Sequence, residues 1–444
     1  MKQKYPKIKI YVLGGIVLLY IILGIVFRTT MLDKVIPNSL GSVEANVAAD
    51  MIVQNSTLNT SSDVQSHLDA AVSFFKNDFV KSSGHIDLYI PMIERSNPDT
   101  QPNVDANTNV ANPSNISSNL SLPEGLYDNR TNSEAISYYL LWAANANDSQ
   151  DFNTELQFLK SKMMQPNFGY IMWRLESNDT VKGDGSNDAS DADLRVIKAL
   201  MIAQDNWPYA TYSDVIDNIS SGLEKVAVTD DKYLAPYGGA SGQTSTWKAN
   251  EVYLSYTDFT VLKELSLRYG DPWRSVYANM KAATLKAQIA NGLYNSQLTI
   301  DRVYGNGIDG GGYGINSLWM MVRNAESNDP ELMASANKSL QFYKSKFIVD
   351  GELYGMYGSN GDALSPTDTP WAYALAGRAA IELNDPDFAK QMIAKLLEHQ
   401  VNDNASLYYG AFPEDYKSSK RIGQFTMQES ILTMQDYLKK YGNN

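Results

Sequence analysis

The chain has 444 residues, a net charge of −13, three histidines and no cysteine. The absence of thiols excludes disulfides, zinc–thiolate sites and cysteine nucleophiles, and the histidines (His67, His85, His399) include no pair at i,i+3 or i,i+4. So acidic a chain repels phosphate backbones, which removes nucleic acid from the expected partners; no metal or cofactor is expected either.

Residues 1–9 form a basic tail carrying Lys2, Lys4, Lys7 and Lys9, followed by Ile10–Phe27 without a charge. At 1.5 Å per residue that run just crosses the ~30 Å hydrocarbon core of a bilayer. No small-x-small cleavage site follows it, and the lysines place the N-terminus in the cytoplasm. The expectation is a single-pass signal anchor at 10–27, with everything after Arg28 outside the cell. Residues 28–65 are small and polar and read as a stalk. An Asn/Pro/Ser-rich stretch near 97–122 reads as an insertion within a domain spanning 66–444.

Helical periods follow at about 66–82, 132–146, 151–164, 189–205, 211–226, 252–269, 272–290, 313–326, 329–347, 369–384, 387–399 and 425–440. Glycine-rich stops separate several of them, as at Gly310-Gly311-Gly312. Twelve helices taken in pairs predict an all-α closed toroid, an (α/α)6 barrel of six helical hairpins. No sequence repeat of fixed period supports an open helical array.

In such a ring alternate helices point the same way, so the N-termini of the even-numbered helices share one face. Those starts read Asn132-Ser133-Glu134, Ser190-Asp191-Ala192-Asp193, Ser255-Tyr256, Tyr313-Gly314-Ile315-Asn316, Asp368-Thr369 and Gln424-Phe425. Singly, Glu134 and Asp191 read as ordinary helix-start residues, suited to orphan amides and the helix dipole. The run Asp184–Asp193 fails the EF-hand template, since Arg195 stands at its twelfth position.

The stretch Ala189-Ser190-Asp191-Ala192-Asp193, continuing as a helix that closes on Trp207, resembles the signature of glycoside hydrolase family 8. Val196 and Ile197 depart from it by apolar exchange. Ser133-Glu134 is similar to the family's Ser-Glu-Gly segment, with Ala135 for the glycine, and Leu254-Ser255-Tyr256 looks like its Ser-Tyr helix start. The likeness covers roughly residues 66–440. It implies inverting hydrolysis of a β-linked polysaccharide, with one carboxyl as acid and a second, about 6.5–9.5 Å away, as base.

By this resemblance Glu134 is the general acid, Asp191 grips the sugar and tunes Glu134, and Tyr256 orients. The base is open. Many members have an aspartate after the tyrosine that starts the eighth helix, but Tyr313 is followed here by Gly314. Asn316 can occupy the site, with Asp309 or Asp301 supplying the carboxylate from a loop. Substrate-binding candidates are Asp193, Tyr138, Trp247, Tyr313, Trp319 and Trp371; Trp142 and Trp207 lie within helical periods and read as core. The expected function is an anchored glycosidase acting on an exopolysaccharide beside a synthase. The alternative is a non-catalytic polysaccharide-binding subunit that keeps the fold.

Overall fold

The structure, a computed structural model, describes residues 61–92, 128–414 and 421–442. The expected anchor at 10–27 and the insertion near 97–122 lie outside the described residues, as does the stalk up to residue 60. Among the described residues no helix is long and apolar enough to cross a membrane. Residues Thr57–Asn444 form one compact unit.

Twelve α-helices are present among the described residues: α1 (Ser61–Asp78), α2 (Ser133–Asn145), α3 (Ser149–Phe158), α4 (Ser190–Asn206), α5 (Ser213–Val226), α6 (Phe259–Tyr269), α7 (Trp273–Ala287), α8 (Ile315–Glu326), α9 (Pro330–Asp350), α10 (Pro370–Glu382), α11 (Pro386–Glu398) and α12 (Gln424–Tyr441). The even-numbered helices form an inner ring, each touching the next from α2 through α12 and back to α2. Five outer helices pack on the inner helix that precedes them in the chain. The sixth, α1, packs on α12, so the first and last helices close the ring. The stalk expected to run to residue 65 therefore ends earlier, because α1 begins at Ser61.

The division into inner and outer helices follows from side-chain size. Helix α2 buries eleven of its thirteen residues and α10 a similar share, and both are dense in alanine. A helix apolar all round belongs inside. Gly377 of α10 lies so close to α11 and α12 that a Cβ there would stand 3.2 Å from Met392 and 3.4 Å from Thr433. Outer helices such as α5 bury one stripe, led by Ile216, Ile219, Leu223 and Val226, and wet the opposite face. Each such side chain removed from water contributes about 1.5–3 kcal/mol.

The turns repeat although the sequence does not. Asn147, Asn328 and Asn384 adopt φ of 57°, 54° and 58°, and each precedes an aspartate (Asp148, Asp329, Asp385) that caps the next outer helix. The return loops after α1, α3, α5 and α7 share one bridge pattern: Val80 with Ile86, Met164 with Ile171, Val228 with Leu234, Gln288 with Tyr294. Inner helices nevertheless start at 133, 190, 259, 315, 370 and 424, an uneven spacing that hides the repeat.

The expected all-α class holds for the ring and fails in its loops. Short antiparallel strands lead into the inner helices: β1 (Tyr89–Pro91) with β11 (Arg421–Gly423), β2 (Thr131–Asn132) with β3 (Arg174–Leu175), β4 (Gly238–Ser241) with β5 (Ser245–Lys248), β6 (Val252–Tyr253) with β7 (Gln297–Leu298) and β8 (Tyr304–Gly305), and β9 (Tyr354–Tyr357) with β10 (Ala363–Asp368). The period read at 252–269 breaks accordingly. It comprises β6, a 3-10 turn at Leu254–Tyr256, and then α6, whose Asp258 cap accepts from the Val261 N–H at 3.1 Å.

Deep in the ring the inner helices meet through charge. Glu326 accepts from Lys198 Nζ at 2.7 Å and faces Arg378 at 2.9 Å and Arg323 at 3.3 Å. Asp258 lies 3.2 Å from both Lys198 and Arg323, and Arg378 reaches Glu429 and Asp436 at 3.3 Å. Although burial pushes the Glu326 carboxyl up, the surrounding Arg378, Lys198 and Arg323 outweigh it and hold its pKa down at about 2.

Candidate active site

Glu134 stands in the first turn of α2, where β2 delivers it. Asn132 caps the helix by accepting from the Ala135 N–H at 2.8 Å, and its Nδ2 donates to Glu134 Oε2 at 2.7 Å. Pairing of β2 with β3 brings Trp173 alongside. The Ser133 N–H donates to the Trp173 carbonyl at 2.8 Å, and the Trp173 indole Nε1 donates to Glu134 Oε2 at 3.1 Å. Arg174 covers the indole ring at 4.4 Å. Burial first, and the negative charge of Asp191 second, push the Glu134 carboxyl up to about 7. Donors gather on Oε2, so Oε1 is the oxygen left to carry a proton outward.

Asp191, in the first turn of α4, is 5 % exposed. Its Oδ2 accepts from Arg195 Nη2 at 3.0 Å, while Oδ1 is buried without a hydrogen-bond partner. The neighbouring acids of the same run serve the scaffold. Asp188 accepts from the Gly238 N–H, and Asp193 from the Ile171 N–H at 3.4 Å; burial pushes both well above the usual carboxylate range. A Cβ at Gly238 would lie 1.9 Å from the Val226 carbonyl, so only glycine allows this approach. Asp193, expected to bind substrate, is fully buried and holds the Ile171 N–H.

Tyr256 belongs to the 3-10 turn above α6 rather than to a helix start. Burial, then the charges of Asp191 and Glu134, raise its phenol well above its ordinary value. From Tyr256 a run of edge-to-face rings leads outward: Tyr253 at 5.3 Å, Tyr237 at 6.4 Å from Tyr253, and Trp247 at 6.1 Å from Tyr237. Trp247 is 38 % exposed on β5, as a sugar-stacking ring requires. Glu251 ties this wall by accepting from Tyr237 at 2.7 Å, Tyr253 at 3.3 Å and Gln297 Nε2 at 3.0 Å.

The two loop carboxylates differ sharply. Asp301 is exposed in the turn between β7 and β8, beside Arg302, which pairs with Asp231. Asp309 is 7 % exposed at the end of a 3-10 turn (Gly307–Asp309) ahead of α8, with Oδ1 accepting from Asn316 Nδ2 at 2.8 Å and Oδ2 from Ser296 Oγ at 3.1 Å. Asn316 Oδ1 in turn accepts from Ser255 Oγ at 2.7 Å, next to Tyr256. A Cβ on Gly314 would meet Asp309 Oδ1 at 3.3 Å. The Asp309 carboxylate thus comes up against the position where the resemblance expected an acid after Tyr313. Burial raises its pKa, against hydrogen bonds from Asn316 and Ser296 that lower it.

Two of the aromatic candidates are packed almost wholly against protein. Tyr138 is 1 % exposed and donates to Glu429 inside the ring, and Tyr313 pairs with Tyr357 through the backbone and donates to Asn295 at 3.2 Å. Trp319 is half-buried, donating to Glu429 at 3.2 Å against the edge of Phe425; Trp371 lies half-buried against Gly355 of β9. Trp173, Asn132 as a ligand of Glu134, Arg195 and Ser296 were not anticipated. Arg195 alone had a sequence signal, its i,i+4 spacing from Asp191.

The sequence profile of Glycosyl hydrolases family 8 matches residues 124–310. No curated protein sequence matches the chain. Among solved structures, "a novel alpha-amylase from Clostridium perfringens" superposes with TM-score 0.66 at 23 % identity, covering 84 % of this chain and 98 % of that one. A beta-1,3-1,4-glucanase from Paenibacillus sp. X4 gives TM-score 0.59 at 16 % identity, covering 87 % and 94 % of the two chains. A GH8 xylobiose complex from Teredinibacter turnerae gives 0.56 at 16 % identity over the same shares. At these identities the superpositions speak for the fold, which is that of a ring of paired helices. The profile carries the assignment: residues 124–310 match Glycosyl hydrolases family 8, and the protein is a glycosidase.

Proposed function

We propose that the protein hydrolyses a β-linked polysaccharide with inversion, Glu134 serving as general acid and Asp309 as general base. The observation that carries this reading is the Glu134 carboxyl, pushed up to about 7 beside Asp191 with Oε2 held by Asn132 and Trp173. Such a carboxyl holds a proton near neutrality and presents it in one direction. Glu134 Oε1 gives the proton to the glycosidic oxygen as its bond to the anomeric carbon breaks. Asp309 takes a proton from the water that attacks that carbon from the opposite face. Asp191 accepts a sugar hydroxyl, Tyr256 orients the reacting ring, and Trp247 stacks a more distant sugar.

The likeness to a glucanase and a GH8 xylobiose complex supports a β-linkage. The amylase likeness makes an α-1,4-glucan the competing substrate. We also propose that residues 10–27 tether the enzyme at the outer membrane face, where it acts endo-wise on an exopolysaccharide emerging from a neighbouring synthase. The charge-free run and its preceding lysines support that placement.

The test is reducing-end release by the full chain from cellulose, chitosan, xylan, β-1,3-1,4-glucan, starch and the producing cell's exopolysaccharide, beside Glu134→Gln. Release that vanishes in the variant, with the first product anomer inverted by NMR, is expected. Retention of configuration would overturn the assigned mechanism. Binding without release by either protein would leave the non-catalytic reading.

A further inference from the structure

A buried cation, Arg195, bridges the helices that carry Glu134 and Asp191. Arg195, one turn along α4 from Asp191, is 2 % exposed, and its fork is divided between two helices. Nη2 donates to Asp191 Oδ2 at 3.0 Å, and Nη1 donates to Ser137 Oγ on α2 at 2.9 Å. Ser137 Oγ donates onward to the backbone carbonyl of Glu134 at 2.8 Å. The guanidinium also lies 3.9 Å from the ring centre of Tyr138, whose hydroxyl is fixed by Glu429. An unpaired guanidinium could not persist at this depth. Here a carboxylate, a hydroxyl and an aromatic face share it, and every one of them belongs to or adjoins the turns that carry Glu134 and Asp191.

The geometry points to Arg195 as a positioning residue: its fork pins Oδ2 of Asp191, leaves Oδ1 as the free acceptor for a sugar hydroxyl, and ties α4 to the turn of α2 that bears Glu134. This inference rests on the reading of Glu134 as the acid. Oδ1 of Asp191 is buried and unpartnered, so a donated hydroxyl there satisfies an atom that the fold leaves bare. Lysine, a point charge without a fork, could replace the charge of Arg195 but not this division of bonds. The groups that face Glu134 are Asp191, Arg195, Trp173, Asn132 and, farther out, Tyr256 and Tyr89. Arg195 opposes the upward push of Asp191 on Glu134, so its removal moves the Glu134 titration further up.

The experiment needs a readout other than turnover, and Trp173 provides it, because its indole N–H is bonded to Glu134. Full-length protein labelled with 15N-tryptophan is titrated by NMR, the Trp173 signal being assigned with Trp173→Phe. Arg195→Met is expected to raise the midpoint by about one pH unit. It should also lower kcat/KM about 10- to 100-fold, chiefly through KM, on the polymer that the wild type cleaves. Arg195→Lys should restore the midpoint but not KM. An unmoved midpoint in folded Arg195→Met would overturn the proposal, as would full recovery of KM by lysine. Should Arg195→Met fail to fold, Ser137→Ala removes one branch of the fork and keeps the charge. A raised KM with an unmoved midpoint is expected there, and an unchanged KM counts against the fork. If the wild type cleaves no polymer, the proposed function falls, while the titration still decides whether Arg195 acts on Glu134.

Discussion

The indole N–H of Trp173 and the cap amide of Asn132 converge on one oxygen of Glu134, Oε2, at 3.1 and 2.7 Å. This convergence makes the carboxyl directional. Trp173→Phe removes a donor that favours the ionised form, so the Glu134 pKa should rise and the upper limb of the pH–rate profile should move to higher pH. With orientation loosened, kcat should fall about 10-fold. Initial rates between pH 5 and 9 check both.

Glu134→Gln removes the proton donor and should lower kcat by about 10²–10⁴-fold with polymer binding retained. In the wild type, the acid form is present below about 7 and is lost as pH rises through it. Reducing-end release should therefore decline above neutrality. A rate that climbs steadily to pH 9 would count against Glu134 as the acid.

Asp309→Asn should abolish release, and added azide should restore turnover as the inverted glycosyl azide, since azide attacks without a base. Asp301→Asn, at an exposed turn, should stay within about two-fold of the wild type. The reverse outcome for the two variants would transfer the base assignment to Asp301.

Glu326→Gln leaves Lys198, Arg323 and Arg378 short of an anion, and should cost about 3–5 kcal/mol. The Glu326 pKa is held down at about 2, below its ordinary 4.5. Its contribution is therefore complete above about 4.5 and lost as pH falls toward 2. Thermal melts should show the variant gap closing over that range.

Asp78 ends α1, where helix carbonyls disfavour a negative charge, and burial pushes its carboxyl up to about 7. The cost of its ionised form grows as pH rises from 3.8 through 7. Asp78→Asn should raise stability by about 1 kcal/mol at pH 8 and leave it unchanged at pH 4. Equal melting temperatures at pH 8 would refute this.

Much of the ring was legible because helical period and stop residues are local properties: all twelve helices appear near their expected positions. Glu134 and Asp191 were singled out by the family resemblance, since the helix-start position alone reads as an ordinary cap. Trp173 was not, since its tie to Glu134 is made across the β2–β3 pair, 39 residues away in sequence. Tyr138, Tyr313 and Asp193, expected at the groove, are each at most 7 % exposed. An inner helix hides nearly all its faces, so periodicity cannot say which side meets the cleft. Asp309 and Asp301 share one loop and looked equivalent; burial, the hydrogen bonds from Asn316 and Ser296 and the packing of Gly314 single out Asp309.

Ring closure by α1 against α12 ties catalytic competence to the order of synthesis. Helix α2, with Glu134, is made early, but the partner of its Tyr138 is Glu429 on the last helix. Strand β1, near the start of the domain, likewise waits for β11. A ribosome-bound chain lacking residues 421–441 has Glu134, Asp191 and Asp309, yet no closed wall to hold them in register. Hydrolysis should therefore begin only once α12 has emerged, and a protein shortened by that one helix should be inactive although Glu134, Asp191 and Asp309 are present.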